Sequence, residues 1–284
     1  MSTYKNIAKS HQIQFKTHSS IISDQARIDG MYKGKSYPFC LPVKYSEQNL
    51  YPPIREDAIH FFKRHNIKWH DEHGEKPSNH LCDSQVCCVN FLFPFADKPT
   101  ELAALLRPIY PQISQMLPVE DGMFVSFEWI GAENYLREKV RGIGKRSRGA
   151  NFTSADAIVM FEDIHNQHQI VLMEWKYTES YSPTNLHFSK NGTDRLQIYQ
   201  HLVDESDCIV NLDLLPSFDA LFYEPFYQFM RQQFLAAKME QAHELGADKV
   251  LVLHICPEAN KAFKKITSPV LRDLGKSATE VWKK

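Results

Sequence analysis

Two apolar runs joined by a short polar turn constrain this chain more than any other feature. They read A-D-A-I-V-M-F (155–161), E-D-I-H-N-Q (162–167) and H-Q-I-V-L-M-E-W-K-Y-T (168–178). Aliphatic runs of this length, bounded by polar residues, predict two strands in a hairpin. The second run ends unusually. Ile170–Met173 is a plain buried strand, yet Glu174 and Lys176 follow at once. Side chains alternate faces along a strand, so these two charges emerge on one side and Trp175 and Tyr177 on the other. Antiparallel pairing with the turn near Asn166 would set Asp156, at the start of one strand, across from Glu174 at the end of the other.

Downstream, the pattern is that of an α/β sheet. T-D-R-L-Q-I-Y-Q-H-L-V (193–203) predicts a helix capped by Thr193 or Asp194. Residues 223–246 predict the longest helix, with Pro225 at its start, Phe226, Phe229, Met230, Phe234 and Ala237 on one side, and Gly246 as its stop. A-D-K-V-L-V-L-H-I-C (247–256) then reads as a central strand ended by Pro257. A helix leading into such a strand predicts a crossover connection.

Upstream, G-A-E-N-Y-L-R-E-K-V (131–140) predicts a short helix, followed by the Gly- and Arg-rich loop R-G-I-G-K-R-S-R-G-A-N (141–151). Arg55–Trp69 has helical spacing. Residues 100–117 continue in helical style, broken by Pro108 and Pro111. The first forty-odd residues are polar and irregular. This predicts a partly helical extension, 1–117, packed on a core of 118–284.

Composition excludes several classes. No apolar run approaches the roughly 20 residues of a membrane span. The start M-S-T-Y-K-N-I-A-K-S-H-Q lacks a secretory apolar segment, so the six cysteines are expected to be reduced thiols in a cytoplasm. Net charge is −1, so any nucleic-acid surface must come from local clustering of Lys and Arg. Such a cluster stands just before the Asp156 strand, with Arg141, Lys145, Arg146 and Arg148 as candidate phosphate contacts.

The charged strand ends carry the candidate chemistry. Asp156, Glu174 and the backbone carbonyl of Trp175 would place hard oxygen donors together, a set suited to Mg²⁺, with Mn²⁺ as a substitute. Lys176, beside Glu174, could orient a water or neutralise charge building on phosphorus. The Glu-x-Lys spacing alone means little, since an exposed salt-bridge pair on a sheet edge is common. Its partnership with Asp156 gives it weight.

S-A-D (154–156) together with L-M-E-W-K (172–176) resembles the active-site hairpin of the PD-(D/E)XK, restriction-endonuclease-like nucleases. The resemblance covers roughly Pro118–Pro257, and the wider chain, including H-L-C-D-S-Q-V-C-C-V-N-F-L-F-P-F (80–95), looks like a bacterial branch of that superfamily. It implies a mixed central sheet flanked by helices, built as helix, three-strand meander, helix and strand. It also implies metal-dependent hydrolysis of phosphodiesters, most simply a DNA endonuclease of restriction, defence or processing type, and it leaves a homodimer open. Ala155 stands where the motif has Pro, and the third strand is expected in D-C-I-V-N-L-D-L-L (207–215). A Glu on the preceding helix is also implied, with Glu138 favoured over Glu133. Gln197, Tyr199, Gln228 and Arg231 are candidates to assist from later helices.

Two other readings compete. One is a nucleic-acid-binding protein that keeps this fold without cutting. The other is a zinc-stabilised interaction module built on His70, His73, His80, Cys82, Cys87 and Cys88. Zinc is disfavoured, because no matching second ligand pair follows these residues. Adjacent Cys87 and Cys88 in an apolar run behave as small buried hydrophobes.

Overall fold

A computed structural model describes residues 3–72, 75–138, 146–150, 152–205 and 208–284. In chain order these form α1 (Tyr4–His18), the hairpin β1 (Gly30–Tyr32) and β2 (Lys35–Tyr37), and three helices, α2 (Arg55–Arg64), α3 (Ser84–Leu92) and α4 (Pro99–Leu106). Strands β3 (Ile113–Leu117), β4 (Val125–Trp129), β5 (Ala155–Asp163) and β6 (His168–Trp175) follow. The chain closes with α5 (Arg195–Val203), α6 (Phe226–Gln241), β7 (Lys249–Ile255) and α7 (Ala278–Trp282).

A mixed five-stranded sheet forms the centre, flanked by helices, as the sequence predicts. Its order is β3–β5–β6–β7, with β4 also on β5. The long β5 pairs with β6 along one edge. Its other edge is shared: β3 takes Met160–Asp163 and β4 takes Ala155–Val159, both antiparallel. β7 joins β6 in parallel, in register from Gln169↔Lys249 to Trp175↔Ile255.

Alternation along β5 and β6 fills two apolar layers. Ile158, Met160, Ile170 and Leu172 pack with Tyr199 and Leu202 of α5 and with Phe229 and Met230 of α6. Ala157, Val159, Phe161, Val171 and Met173 face Phe62, Val89 and Leu102 from α2, α3 and α4. Each buried aliphatic side chain of this kind contributes about 1.5–3 kcal/mol. The sheet is therefore a two-sided core, and polar groups at its strand ends are placed rigidly.

Several expectations are corrected. Residues 100–117 do not stay helical. Pro108 and Pro111 end α4, and β3 follows, its period-2 pattern blurred by a register shift between Ile113 and Gln115. Residues 131–138 form turns instead of a helix, because the Asn134 side chain closes on the backbone of Glu138 (Nδ2 to O, 2.6 Å; N to Oδ1, 3.0 Å). The third strand of the meander is β4, upstream of the motif. In the described part of 207–215 there is only a turn at Leu212–Leu214. β7 lies at an edge of the sheet and is half-buried along most of its length. α6 ends at Gln241, before Gly246, where His243 turns left-handed (φ 48°). The "irregular" N-terminus is ordered by α1, whose buried Lys16 ammonium donates to the carbonyls of Ile28 (3.2 Å) and Cys40 (3.1 Å).

Candidate active site

The β5–β6 ladder stops at Ala157↔Met173. Beyond it the two strands diverge. β4 still holds β5 through Trp129↔Ala155, while β7 still holds the β6 extension, with Lys176 N–H donating to the Ile255 carbonyl (2.8 Å). Asp156 bridges the opening: its Oδ2 accepts the Trp175 N–H at 2.6 Å. Asp156, Glu174 and Lys176 thus meet at one strand-end fork, on the side where alternation directs them.

Glu174 is buried and surrounded by donors. Lys176 Nζ and Gln228 Nε2 (2.6 Å) donate to its Oε1, and Gln232 Nε2 donates to its Oε2. Gln232 is in turn held through its Oε1 by His254 Nε2 of β7 (2.9 Å). Burial and Asp156 push the Glu174 carboxyl up to about 8, against the opposing pull of Lys176. Burial disfavours charge on Lys176, but Glu174 and Asp156 outweigh it and hold the ammonium above its ordinary range. His254, desolvated and near Lys176, is pushed down to about 4 and is neutral near pH 7. That leaves the Lys176 ammonium hydrogen-bonded to the Glu174 carboxyl in fixed geometry.

A third acid, Glu128 of β4, was not anticipated from the sequence. Its φ of 50° is left-handed, which breaks the alternation beside Phe127 and turns the carboxylate toward α3. Gln85 Nε2 (2.7 Å) and Ser154 Oγ (3.0 Å) donate to it, and His70 Nε2 lies 3.9 Å away. Burial and Asp156 push Glu128 up to about 7, with His70 opposing. Burial disfavours charge on His70 too, yet Asp83 (Nδ1 to Oδ2, 3.4 Å), Glu128 and Asp156 raise it to about 9. The sequence signal for Glu128 was faint: one acid in F-V-S-F-E-W, whose strand went unrecognised. Non-glycine residues in this backbone region cost energy and concentrate at functional sites.

Other expected site residues lie elsewhere. Glu138 is buried away from the fork, accepting from Thr153 N–H (2.7 Å), Thr153 Oγ1 (2.6 Å) and Tyr199 Oη (2.7 Å). All its capacity goes to tying the approach to β5 onto α5. Glu133 is exposed. Gln197 is exposed on α5 and lines a separate cavity with Arg231, whose guanidinium sits over the Tyr227 ring at 4.9 Å. Of the four helix candidates only Gln228 reaches Glu174.

The basic residues are also differently employed. Arg148 donates to Glu120 (2.8 Å), Ser126 and the Phe127 carbonyl, and its side chain is 12% exposed. Arg146 donates to the carbonyls of Ile130, Gly131 and Ala132. Arg146 thus ties the bend after β4, and Arg148 ties β4 itself to Glu120 ahead of it. Lys145 and Arg141 lie outside the described residues, as does His73. His80 accepts from Cys82 N–H (3.0 Å) and is held neutral by burial, while Cys88 is fully buried.

Among the described residues no three His, Cys, Asp or Glu side chains are already gathered as a metal cage. A hard divalent ion does not need one, since one or two carboxylates with waters suffice for Mg²⁺. Asp156 and Glu174 supply such oxygens; burial first, and repulsion from Asp156 second, raise Glu174 and Glu128, and a cation would relieve the second.

A mixed sheet with Asp and Glu-x-Lys at adjacent strand ends, flanked by helices, is a restriction-endonuclease-like architecture. The chain belongs to the family described as restriction endonuclease associating with ARP, which matches residues 9–284. Neither curated proteins nor solved structures yield a match. None of the described helices is long and apolar enough to cross a membrane.

Proposed function

We propose that this protein is a metal-dependent DNA endonuclease of the PD-(D/E)XK type, acting in restriction, defence or DNA processing in the cytoplasm. The observation that carries the reading is the Asp156–Trp175 hydrogen bond, which joins the acid of one strand to the Glu-x-Lys segment of the next. Asp156, Glu174 and the Trp175 carbonyl would hold Mg²⁺ or Mn²⁺. Such an ion, when bound, supplies polarisation of a phosphoryl oxygen and a more acidic water.

The protein's own groups do the rest. Lys176 is a donor-only cation held charged by two acids, suited to orienting the attacking water and offsetting charge on the phosphorane-like transition state. Gln228 and Gln232 fix the Glu174 carboxylate, and His254 fixes Gln232, so that little reorganisation accompanies reaction. Cationic His70, beside Glu128, would serve as a proton donor to the leaving group.

The test is cleavage of plasmid and of single-stranded DNA with Mg²⁺, with Mn²⁺ and with EDTA, for the wild type and Lys176→Ala. Metal-dependent cutting by the wild type and at least a hundredfold loss in the variant are expected, the scale of a removed transition-state charge partner. Equal cutting by both proteins, or none with any divalent ion, defeats the proposal.

A further inference from the structure

Lys176 also lines a second space. A cavity of about 690 Å³ lies between α1, the β1–β2 hairpin, the start of α3 and the segment that follows β6. α1 is fastened to that segment, with Gln12 Nε2 donating to Tyr177 Oη (3.1 Å) and Tyr4 set edge-on to Tyr177. The N-terminal region therefore builds a wall that continues outward from the fork.

The wall is made of aromatic faces and cations. Tyr37 stacks on Phe39 (4.9 Å between centroids, 28° between planes), and Lys9 Nζ stands 4.1 Å from the Phe39 ring centre. Lys33 Nζ lies 4.9 Å from the Tyr32 ring centre. Lys5 and Lys9, one helical turn apart, repel each other, and no described acid is within ion-pair distance of either. The acids of the cavity are occupied. Asp71 accepts from Tyr32 and Ser78 and faces Lys33, Asp83 caps α3 and pairs with His70, and Glu179 accepts the Tyr177 N–H. Lys5 and Lys9 thus present to the cavity positive charge that no described acid neutralises.

Stacking rings with lysines beside them, in a hollow of compact-ligand size, match the chemistry of unpaired nucleotides and not of a duplex, whose bases are hidden. We propose that this cleft receives a short unpaired stretch of the strand being cut, a base on the Tyr37 face and phosphates at Lys5, Lys9 and Lys33. The inference rests on the nuclease reading above and adds a substrate class to it: single-stranded or locally opened nucleic acid. His70, held cationic on the fork side, continues the positive lining toward Lys176.

Fluorescence anisotropy in EDTA tests it, with a labelled ten-nucleotide DNA strand, the same sequence as RNA, and the DNA duplex, over a range of KCl. The single strands should bind at least tenfold more tightly than the duplex, and the DNA and RNA arms show which sugar is preferred. Tyr37→Ala should weaken single-strand binding by roughly 5- to 100-fold, whereas Tyr37→Phe, which keeps the ring, should bind like wild type. Lys9→Ala should lower the log–log salt slope by about 0.7. Duplex binding as tight as single-strand binding, or unchanged binding by Tyr37→Ala and Lys9→Ala with wild-type melting curves, overturns the inference. Because EDTA removes cleavage, the two readings separate. Metal-dependent cutting with no effect of Tyr37→Ala on binding or cutting removes the cleft alone. Tyr37-dependent binding in a protein that never cuts removes the nuclease alone.

Discussion

Replacing Glu174 and Lys176 together by Gln and Met should make the metal-free protein more stable at alkaline pH than the natural one. Glu174 is buried, and its carboxyl is held at about 8 instead of an ordinary 4.5 by burial and Asp156. A carboxyl raised on folding favours the folded state while protonated. That contribution is complete below about pH 4.5 and is lost as pH climbs to about 8. At about 1.36 kcal/mol per pH unit, the interval is worth about 5 kcal/mol. Glu174→Gln with Lys176→Met keeps the shapes, leaves an oxygen for one of the Gln228 and Gln232 donors, and removes both buried charges. Neutral replacements of buried ion pairs are often stabilising by roughly 1–4 kcal/mol. Urea unfolding in EDTA should therefore give similar free energies for both proteins near pH 5. At pH 8.5 they should separate by roughly 1–4 kcal/mol in favour of the variant, which should not cut DNA. Lys176→Met alone should be the least stable of the three at pH 8.5, by about 3–5 kcal/mol, because it strands the carboxylate. If wild type and double variant change in parallel from pH 5 to 8.5, Glu174 is not held in a raised state, and the electrostatic account of the fork fails.

Three further outcomes are expected. Glu128→Gln should lower cleavage about 10- to 100-fold and lower the His70 pKa from about 9, read by NMR titration, while Glu133→Gln changes neither. Glu138→Ala should cost about 2–4 kcal/mol in urea unfolding through its lost bonds to Thr153 and Tyr199, with little effect on cleavage per folded molecule; the reverse pattern would return Glu138 to the active site. Arg148→Ala should destabilise by about 1.5–3 kcal/mol by removing the guanidinium from Glu120, which keeps Ser126 and His65, yet leave the salt slope of DNA binding unchanged; a slope smaller by about 0.9 would mark it as a phosphate contact after all.

The sheet's centre was legible because β5, β6 and β7 are dense aliphatic runs, and α6 because its aromatic stripe recurs at helical spacing. β3 and β4 were hidden for a local reason. A register shift near Ile113 and the left-handed Glu128 disturb the alternation by which a strand is recognised. The alternation rule that placed Glu174 and Lys176 together therefore also concealed Glu128, which reaches its place by breaking that rule. Asn134 defeated a helix through a side-chain bond that periodicity does not register. For Arg146 and Arg148 the sequence reports charge and not occupancy: Arg146 donates to carbonyls, and Arg148 to a carbonyl and Glu120. Likewise Gln232 carries no distinguishing mark in a helix rich in Gln; only the fold brings it to Glu174.

The parting of β5 and β6 has a mechanical consequence. Each prong is clamped from its outer side, Ala155 by β4 and Lys176 by β7, and among the described residues only the Asp156 side chain spans the gap. The width of that gap is then set by the two outer strands, which also carry Glu128 and His254. Slippage or bending of either outer strand would move one prong against the other, as handles move the tips of tweezers. Substitutions along β7 other than at His254 are accordingly a route by which such a protein can retune how its acids are spaced while the acids themselves stay unchanged.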